Sequence, residues 1–233
     1  MGKSNIFQDL YHNYLDYFSL KLLSLLLITD LLLILLYIIC WLPSSSYLSI
    51  TLSKIVLNEE LLWITQEQSY AEFFQYIKEL WIVLILGFGY WQRRKILILT
   101  WALLFSYLLL DDSLSIHEQI GSKIGDFFQF QDIFNLRAVD LGEILVSATV
   151  GIGFLILIGW AYSQSNFTER KYGKFLVLLL LALAIPGIFF DLIHVIIYDN
   201  LYLNFIFALL EDGGEQIIMS FTLAFIYAID WQY

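Results

Sequence analysis

Acidic and histidine side chains recur inside apolar stretches of this sequence, at spacings that suit metal binding or proton transfer. Residues 111–118 read Asp-Asp-Ser-Leu-Ser-Ile-His-Glu, residues 191–194 read Asp-Leu-Ile-His, and residues 211–215 read Glu-Asp-Gly-Gly-Glu. Histidine with aspartate or glutamate is a common ligand set for divalent metals. Carboxylates inside a membrane also mark proton and ion pathways. These segments therefore indicate either a metal centre or a path for protons or cations.

Helical geometry places several of these side chains on shared faces. Glu211 and Glu215 lie about 40° apart around a helix, and Asp191 and His194 lie about 60° apart. Pairs of this kind on facing helices are the way helix bundles build metal sites. We therefore predict a divalent metal, Zn²⁺ or Fe²⁺, held in this region. The predicted metal ligands are His117, Asp191, His194, Glu211 and Glu215.

Carboxylates at or beside the predicted metal are candidates for acid–base chemistry. Asp112, Glu143 and Glu211 are predicted to be catalytic, because a spare carboxylate can act as general base for a metal-bound water. Glu143 also lies near the start of a predicted helix, where the helix dipole favours acids for structural reasons alone. His117 lies about 100° from Glu118 on an ideal helix, so both reach one centre only if the helix ends there.

The elements that must position these residues are long apolar helices. The chain has 233 residues, 60% of them hydrophobic, and only two prolines, against roughly 45–50% apolar residues in a soluble domain. A hydrocarbon core about 30 Å thick needs about 20 apolar residues per helix. We predict an all-α, polytopic membrane helix bundle with about six transmembrane helices in a single domain, 1–233. The predicted spans are 20–43, 71–91, 96–117, 139–162, 174–198 and 203–229.

Basic residues predict the orientation of the bundle. The connection 92–95 reads Gln-Arg-Arg-Lys, and the connection 163–174 contains Arg170, Lys171 and Lys174. Short basic loops stay in the cytoplasm. Both termini are therefore predicted to be cytoplasmic, in a multi-pass protein of the inner (plasma) membrane.

Other residues within the spans have structural interpretations. Lys78 is predicted to extend outward along its helix with Glu79 as its partner. Asp30, alone in the middle of the first span, is predicted to form a hydrogen bond between helices. The segment Gly151-Ile152-Gly153 predicts close helix packing, and Pro186-Gly187 predicts a bend before Asp191.

The segment 118–138 mixes aromatic and polar residues, which suits a helix lying in the membrane interface. Its aromatic residues include Phe127, Phe128 and Phe130. Such a segment would admit or cover an amphipathic substrate, so membrane lipid is an expected partner. A loop that packs on the helix ends is the alternative interpretation.

Two of the motifs resemble a pattern in a broad set of uncharacterised bacterial polytopic membrane proteins. Residues 110–118 resemble its acidic pair followed by His-Glu, and residues 210–215 resemble its paired-acid helix near the C-terminus. The resemblance covers the third to sixth spans and implies that these residues act together. A weaker likeness is to the alkaline-ceramidase-like membrane hydrolases, which place His and Asp ligands on several spans. This sequence lacks the His-x-x-x-His pair of that family.

The leading functional prediction is a metal-dependent, hydrolase-like membrane enzyme acting on a lipid or amphipathic substrate. One alternative is a cation or proton transporter, and another is a non-catalytic subunit that holds a cofactor or partner in a membrane complex. The inward half has hardly any ionisable residue apart from Asp30, which favours an enzyme, because a transporter needs a path to both sides. The net charge of −10 argues against nucleic acid as a partner. A second copy of the chain remains an expected partner.

Overall fold

The structure, a computed structural model, describes residues 20–41, 59–132, 136–196 and 200–229, and every element in those residues is helical. The predicted cytoplasmic termini and most of the connection 44–70 lie outside the described residues. The helices are α1 (Leu20–Trp41), α2 (Tyr70–Arg93), α3 (Ile96–Leu114), α4 (Ile116–Phe128), α5 (Ala138–Ser163), α6 (Phe167–Ala184), α7 (Asp191–Ile196) and α8 (Leu201–Ala228), with a 3₁₀ turn at Glu59–Leu62 and a π-helical turn at Ile185–Phe190. The all-α prediction is confirmed.

Four helical stretches are long and apolar enough to cross a membrane: α1, α3, α5, and the continuous stretch Phe167–His194. Their mean hydropathies range from 1.6 to 2.8. They coincide with four of the six predicted spans to within a few residues, apart from the start of the fifth. The helices α2 and α8 match the remaining two predicted spans in position, and they carry more charge.

Helix α8 lies at the centre of the bundle, where it packs against α1, α2, α6 and α7. Its second half is almost completely buried and includes Met219, Leu223 and Phe225. Large apolar side chains meanwhile cover much of the outer surface, among them Leu31, Trp81 and Ile156. An apolar exterior around a partly polar interior is the arrangement expected of a helix bundle in lipid.

Side-chain caps fix where several helices begin. Ser69 accepts a hydrogen bond from the backbone N–H of Glu72 at the start of α2. Asn166 and Glu169 form a reciprocal capping box at the start of α6, and Asn200 accepts hydrogen bonds from two backbone N–H groups at the start of α8. Each cap satisfies N–H groups that have no partner within the helix.

The helix of the third predicted span ends at Leu114, three residues before the predicted end at residue 117. Ser115 has a left-handed backbone (φ 47°, ψ 47°), which separates α3 from α4. A left-handed residue is the usual way to end an α-helix. Residues 116–118 therefore belong to α4 and not to α3. The angle between His117 and the acids of α3 cannot be calculated as if they shared one continuous helix.

Helices α4 and α5 form a closely packed hairpin that depends on glycine. A Cβ on Gly142 would collide with the backbone carbonyl of Gly121, and a Cβ on Gly125 would lie 2.7 Å from the carbonyl oxygen of Ala138. The sequence-based prediction placed the close contact at 151–153 instead. That prediction is wrong within the described residues, because nothing lies within 4 Å of a Cβ built on Gly151 or on Gly153.

The predicted bend in the fifth span is a π-helical turn at Ile185–Phe190. Pro186 lacks the N–H that a regular helix would use, and π-helical turns often occur at such irregularities. The turn brings Gly187 against α8, where the Glu215 carboxylate occupies the position that a Cβ of Gly187 would take. The bend therefore allows the acidic middle segment of α8 to lie directly beside the π-helical turn.

Candidate functional site

Asp111 and His117 form one carboxylate–histidine pair at the junction of α3 and α4. Asp111 Oδ1 accepts a hydrogen bond from the His117 backbone N–H at 2.8 Å, and Asp111 Oδ2 lies 3.1 Å from His117 Nδ1. The same carboxylate therefore caps α4 and orients the imidazole. The hydrogen bond to Asp111 raises the pKa of His117 to about 9, with further contributions from the charges of Glu118 and Glu143.

His194 and Glu211 form a second pair, between α7 and α8. His194 Nδ1 lies 2.6 Å from Glu211 Oε2, and both side chains are about one-fifth exposed. His194 Nε2 is buried, and the side chain of Asn204 is its hydrogen-bonding neighbour. A histidine held at Nδ1 by a carboxylate keeps a fixed orientation and presents Nε2 to a proton, a metal or a substrate.

The remaining predicted residues surround these two pairs. Asp191 lies close enough to Glu211 and Glu143 for their charges to interact. Glu143 in turn interacts with His117, which links α5 to α4. The predicted residues of α3, α4, α5, α7 and α8 therefore converge on one end of the bundle.

Glu79, Asp112 and Glu215 bring carboxylates from three helices together below that end. Glu79 interacts electrostatically with both of the other acids, and Glu215 interacts with Asp112, Glu211 and Asp191. The Glu79 side chain is completely buried, and the group within hydrogen-bonding reach of it is another carboxyl, that of Asp112. An unpaired buried carboxylate is costly, so this cluster requires a proton or a cation.

Lys78 does not extend outward with Glu79 as its partner, so that prediction is wrong. Its side chain is completely buried and its Nζ lies 3.0 Å from Asp30 Oδ1, because Lys78 faces the bundle interior and not the lipid. Nζ also donates hydrogen bonds of 2.7 Å to the backbone carbonyl and the side-chain carbonyl of Gln216. The ammonium group is thus fully engaged by α1 and α8.

Asp30 forms the interhelical hydrogen bonds that the sequence predicted. Besides the pair with Lys78, its Oδ2 accepts a hydrogen bond of 2.5 Å from Ser220 Oγ. Gln216 continues the network by donating from Nε2 to the carbonyl of Ala71, at 2.6 Å. The network joins α1, α2 and α8 near their middle.

Asp140 has a structural role at the start of α5. It accepts hydrogen bonds from the Arg137 backbone N–H at 2.7 Å and from the Arg137 guanidinium at 2.6 Å. These hydrogen bonds raise the pKa of Arg137 above its usual value. Asp140 therefore caps its helix, as acids at this position were expected to do.

The predicted metal ligands are near one another but do not form a metal centre in the described residues. No group of three or more His, Cys, Asp or Glu side chains there is placed to hold a metal ion. His194 and Glu211 meet as a pair, whereas His117 contacts Asp111. The Zn²⁺ or Fe²⁺ site stays a prediction.

The sequence did not predict that Glu79 belongs to the acidic cluster with Asp112 and Glu215, or that Asp30 is the partner of Lys78. A signal was present, because Gln75, Lys78 and Glu79 lie on the same helical stripe as Ile82 and Leu86. All five side chains are buried. Polar residues that continue an apolar buried stripe point into the bundle, and the lone acid Asp30 was the natural partner for a lysine at that depth.

The match to a protein family extends over nearly the whole bundle. The family model described as "Domain of unknown function (DUF8692)" matches residues 25–229, a range that runs from α1 to the end of α8 and includes the residues of both carboxylate–histidine pairs. No curated protein and no solved structure matches the chain. The chain belongs to the DUF8692 family.

Proposed function

We propose that this protein moves protons, alone or in exchange for a cation, through the acidic cluster between α2, α3 and α8. The observation that carries the proposal is Glu79, a completely buried carboxylate within hydrogen-bonding reach of a second carboxyl, that of Asp112. Asp112 and Glu215 add two more carboxylates beside it. Such a group is stable only when it binds a proton or a cation, and releasing that ion is what a transport pathway requires.

The polar residues extend from one end of the bundle to its middle. Glu79 lies nine residues after the start of α2, which is roughly 14 Å along the helix. Asp30 lies eleven residues before the end of α1, roughly 16 Å from that end. Both depths are close to half of a hydrocarbon core about 30 Å thick. The polar residues of the proposed pathway thus extend from one side to about the level of the membrane centre.

Apolar side chains close the other half of the pathway. Leu26, Leu86 and Leu223 are buried one or two helical turns beyond the Asp30–Lys78 pair, towards the basic end of the bundle. This arrangement would suit a transporter that exchanges ions with the polar side and is closed towards the basic side. On this proposal, the inward half of the bundle has few ionisable residues because it forms the closed part of the pathway.

The proposal places α2 and α8 across the membrane with the four apolar helices. They contain 24 and 28 residues, so they are roughly 36 and 42 Å long. The exposed face of α2 is apolar and includes Phe73, Leu80 and Leu84, while Lys78 and Glu79 in the middle of the helix face the interior. Six spans put both termini on one side, and the basic connections favour the cytoplasm of a plasma membrane. A C-terminal reporter active only in the periplasm would contradict this orientation.

Transport can be measured in liposomes that contain the purified full-length protein and an entrapped pH-sensitive dye. A potassium gradient with valinomycin imposes a membrane potential, and the dye reports proton entry. We expect the wild-type protein to admit protons faster than protein-free liposomes. Glu79→Gln and Asp112→Asn should reduce the rate to that of protein-free liposomes, because the amide side chains keep the shape but cannot release a proton.

Glu67→Gln is the matched control, because Glu67 is an exposed acid just before α2. Its rate should equal that of the wild-type protein. A second series imposes gradients of Na⁺, K⁺ or Mg²⁺ to detect exchange. The proposal fails if wild-type liposomes match protein-free liposomes under every gradient.

The metal-dependent membrane enzyme is the second candidate, and the His194–Glu211 pair favours it. A carboxylate hydrogen-bonded to Nδ1 is typical of a histidine that binds a metal through Nε2. Metal analysis of purified wild-type protein and His194→Ala distinguishes the candidates. An enzyme of this class should contain stoichiometric Zn²⁺ or Fe²⁺ that the substitution removes, whereas a proton pathway should contain none.

A further inference from the structure

A cleft lies at the basic end of the bundle, away from the acidic cluster. It is open to solvent and lies between the end of α2 and the starts of α3 and α6. Its lining combines charged residues at the rim with apolar and aromatic residues below. This combination of a basic rim and an apolar floor is absent from the acidic cluster.

The rim carries a net positive charge. Arg93 and Lys95 both line the cleft. Lys95 Nζ pairs with Glu169 Oε1 at 3.0 Å, and Arg93 has no ion-pair partner in the described ranges. Among the described residues, one cation at the mouth of the cleft is therefore not balanced by an acid. Thr168 adds a hydroxyl group to the same rim.

The floor contains a buried donor without a partner. Trp101 is only 1% exposed, and its indole N–H makes no hydrogen bond to any described residue. The side chain lines the cleft together with Ile98, Tyr172 and Leu176. Buried indole N–H groups usually have a hydrogen-bond acceptor. A bound molecule with an oxygen atom at this position would supply one for Trp101.

The cleft lies where lipid headgroups meet the hydrocarbon core. Helix α3 begins at Ile96 and the apolar stretch containing α6 begins at Phe167, and both are candidate membrane spans. The rim residues are therefore at the boundary, and the floor residues are within the first turns of the spans. Basic pockets between transmembrane helices at this level suit anionic lipid headgroups.

We propose that this cleft binds a phospholipid with an anionic headgroup. Arg93 and Lys95 would contact the phosphate, the Trp101 N–H would donate to a lipid oxygen, and the apolar floor would contact the start of an acyl chain. A soluble phosphate compound shares the headgroup chemistry but has nothing to place against Ile98 and Leu176. The apolar floor therefore favours a lipid over a free phosphate.

The test uses purified full-length protein in detergent. Native mass spectrometry measures the binding of dioleoylphosphatidylglycerol and dioleoylphosphatidylcholine, and the thermal midpoint is followed with each lipid and with inorganic phosphate. We expect phosphatidylglycerol to bind more tightly and to raise the midpoint, since a ligand that binds only the folded state stabilises it. Arg93→Gln and Lys95→Gln should each weaken this binding about fivefold.

Trp101→Phe removes the indole N–H and retains an aromatic ring, so it should weaken binding about threefold. Lys174→Gln is the matched control, because Lys174 is an exposed basic residue of α6 that does not line the cleft. Equal effects of Lys174→Gln and Arg93→Gln would reduce the proposal to general surface charge and overturn it. Equal stabilisation by phosphatidylcholine or by inorganic phosphate would also overturn it.

Discussion

The Lys78 ammonium group and the Asp30 carboxylate meet at 3.0 Å in the centre of the bundle, with neither side chain exposed. The pair joins α1 to α2, and Ser220 and Gln216 extend it to α8. Three helices thus share one polar contact that is surrounded by apolar core. Removing one charge leaves the other buried without compensation, which costs more than removing both.

We therefore expect Lys78→Met and Asp30→Leu to destabilise the protein by about 3–5 kcal/mol each. The double variant should recover most of that loss, because it buries no unpaired charge. Unfolding in a series of denaturing detergent mixtures gives the free energies for all four proteins. Additive losses in the double variant would show that the two charges do not depend on each other.

The sequence predicted the apolar helices well and the polar contacts poorly. Helical length and capping depend on local sequence, so α5 appeared at 138–163 where residues 139–162 were expected. The partner of Lys78 is 48 residues away in sequence, and helical phase alone does not say which helices face each other. Helical phase also could not place the His117 side chain. It assumes one continuous helix, whereas the left-handed backbone of Ser115 ends α3 before His117.

A second prediction concerns the contact between α4 and α5. Gly142→Ala places a Cβ against the backbone carbonyl of Gly121, and backbone atoms in a packed hairpin cannot move aside. We expect a loss of about 1–3 kcal/mol. Gly151→Ala is the matched control on the same helix, where a Cβ has nothing within 4 Å. It should be neutral or stabilise by up to about 1 kcal/mol, and equal losses would contradict the close contact.

A third prediction concerns pH and His117. The hydrogen bond to Asp111 raises the pKa of His117 from 6.5 to about 9 in the folded protein. The folded state therefore holds its proton more tightly than the unfolded state. The resulting stability is fully present below pH 6.5 and is lost as the pH rises to about 9. Thermal midpoints across this window should fall with rising pH.

The control for this pH dependence is His117→Gln. Glutamine can still donate a hydrogen bond to Asp111, but it carries no charge at any pH. We expect the fall in the thermal midpoint between pH 6.5 and about 9 to become shallower in this variant. An identical slope in the two proteins would assign the pH dependence to other groups.

The last prediction separates stability from function at Glu79. Its carboxyl group is completely buried beside Asp112 and Glu215, so it needs a bound proton or cation. Glu79→Gln is neutral without a bound ion, which removes the cost of neutralising a buried carboxylate, so it should stabilise the protein by about 1–3 kcal/mol. Glu67→Gln, at an exposed position, should change stability by less than about 0.5 kcal/mol.

A gain in stability together with a loss of proton movement is the pattern expected where a charge is kept for function at the expense of folding. Both readouts come from the same purified variants, by thermal unfolding in detergent and by dye fluorescence in liposomes. If Glu79→Gln loses stability instead, the carboxylate contributes to packing of α2 against α3 and α8. In that case the loss of transport would follow from the damaged bundle, and Glu79 would have no separate role as a proton carrier.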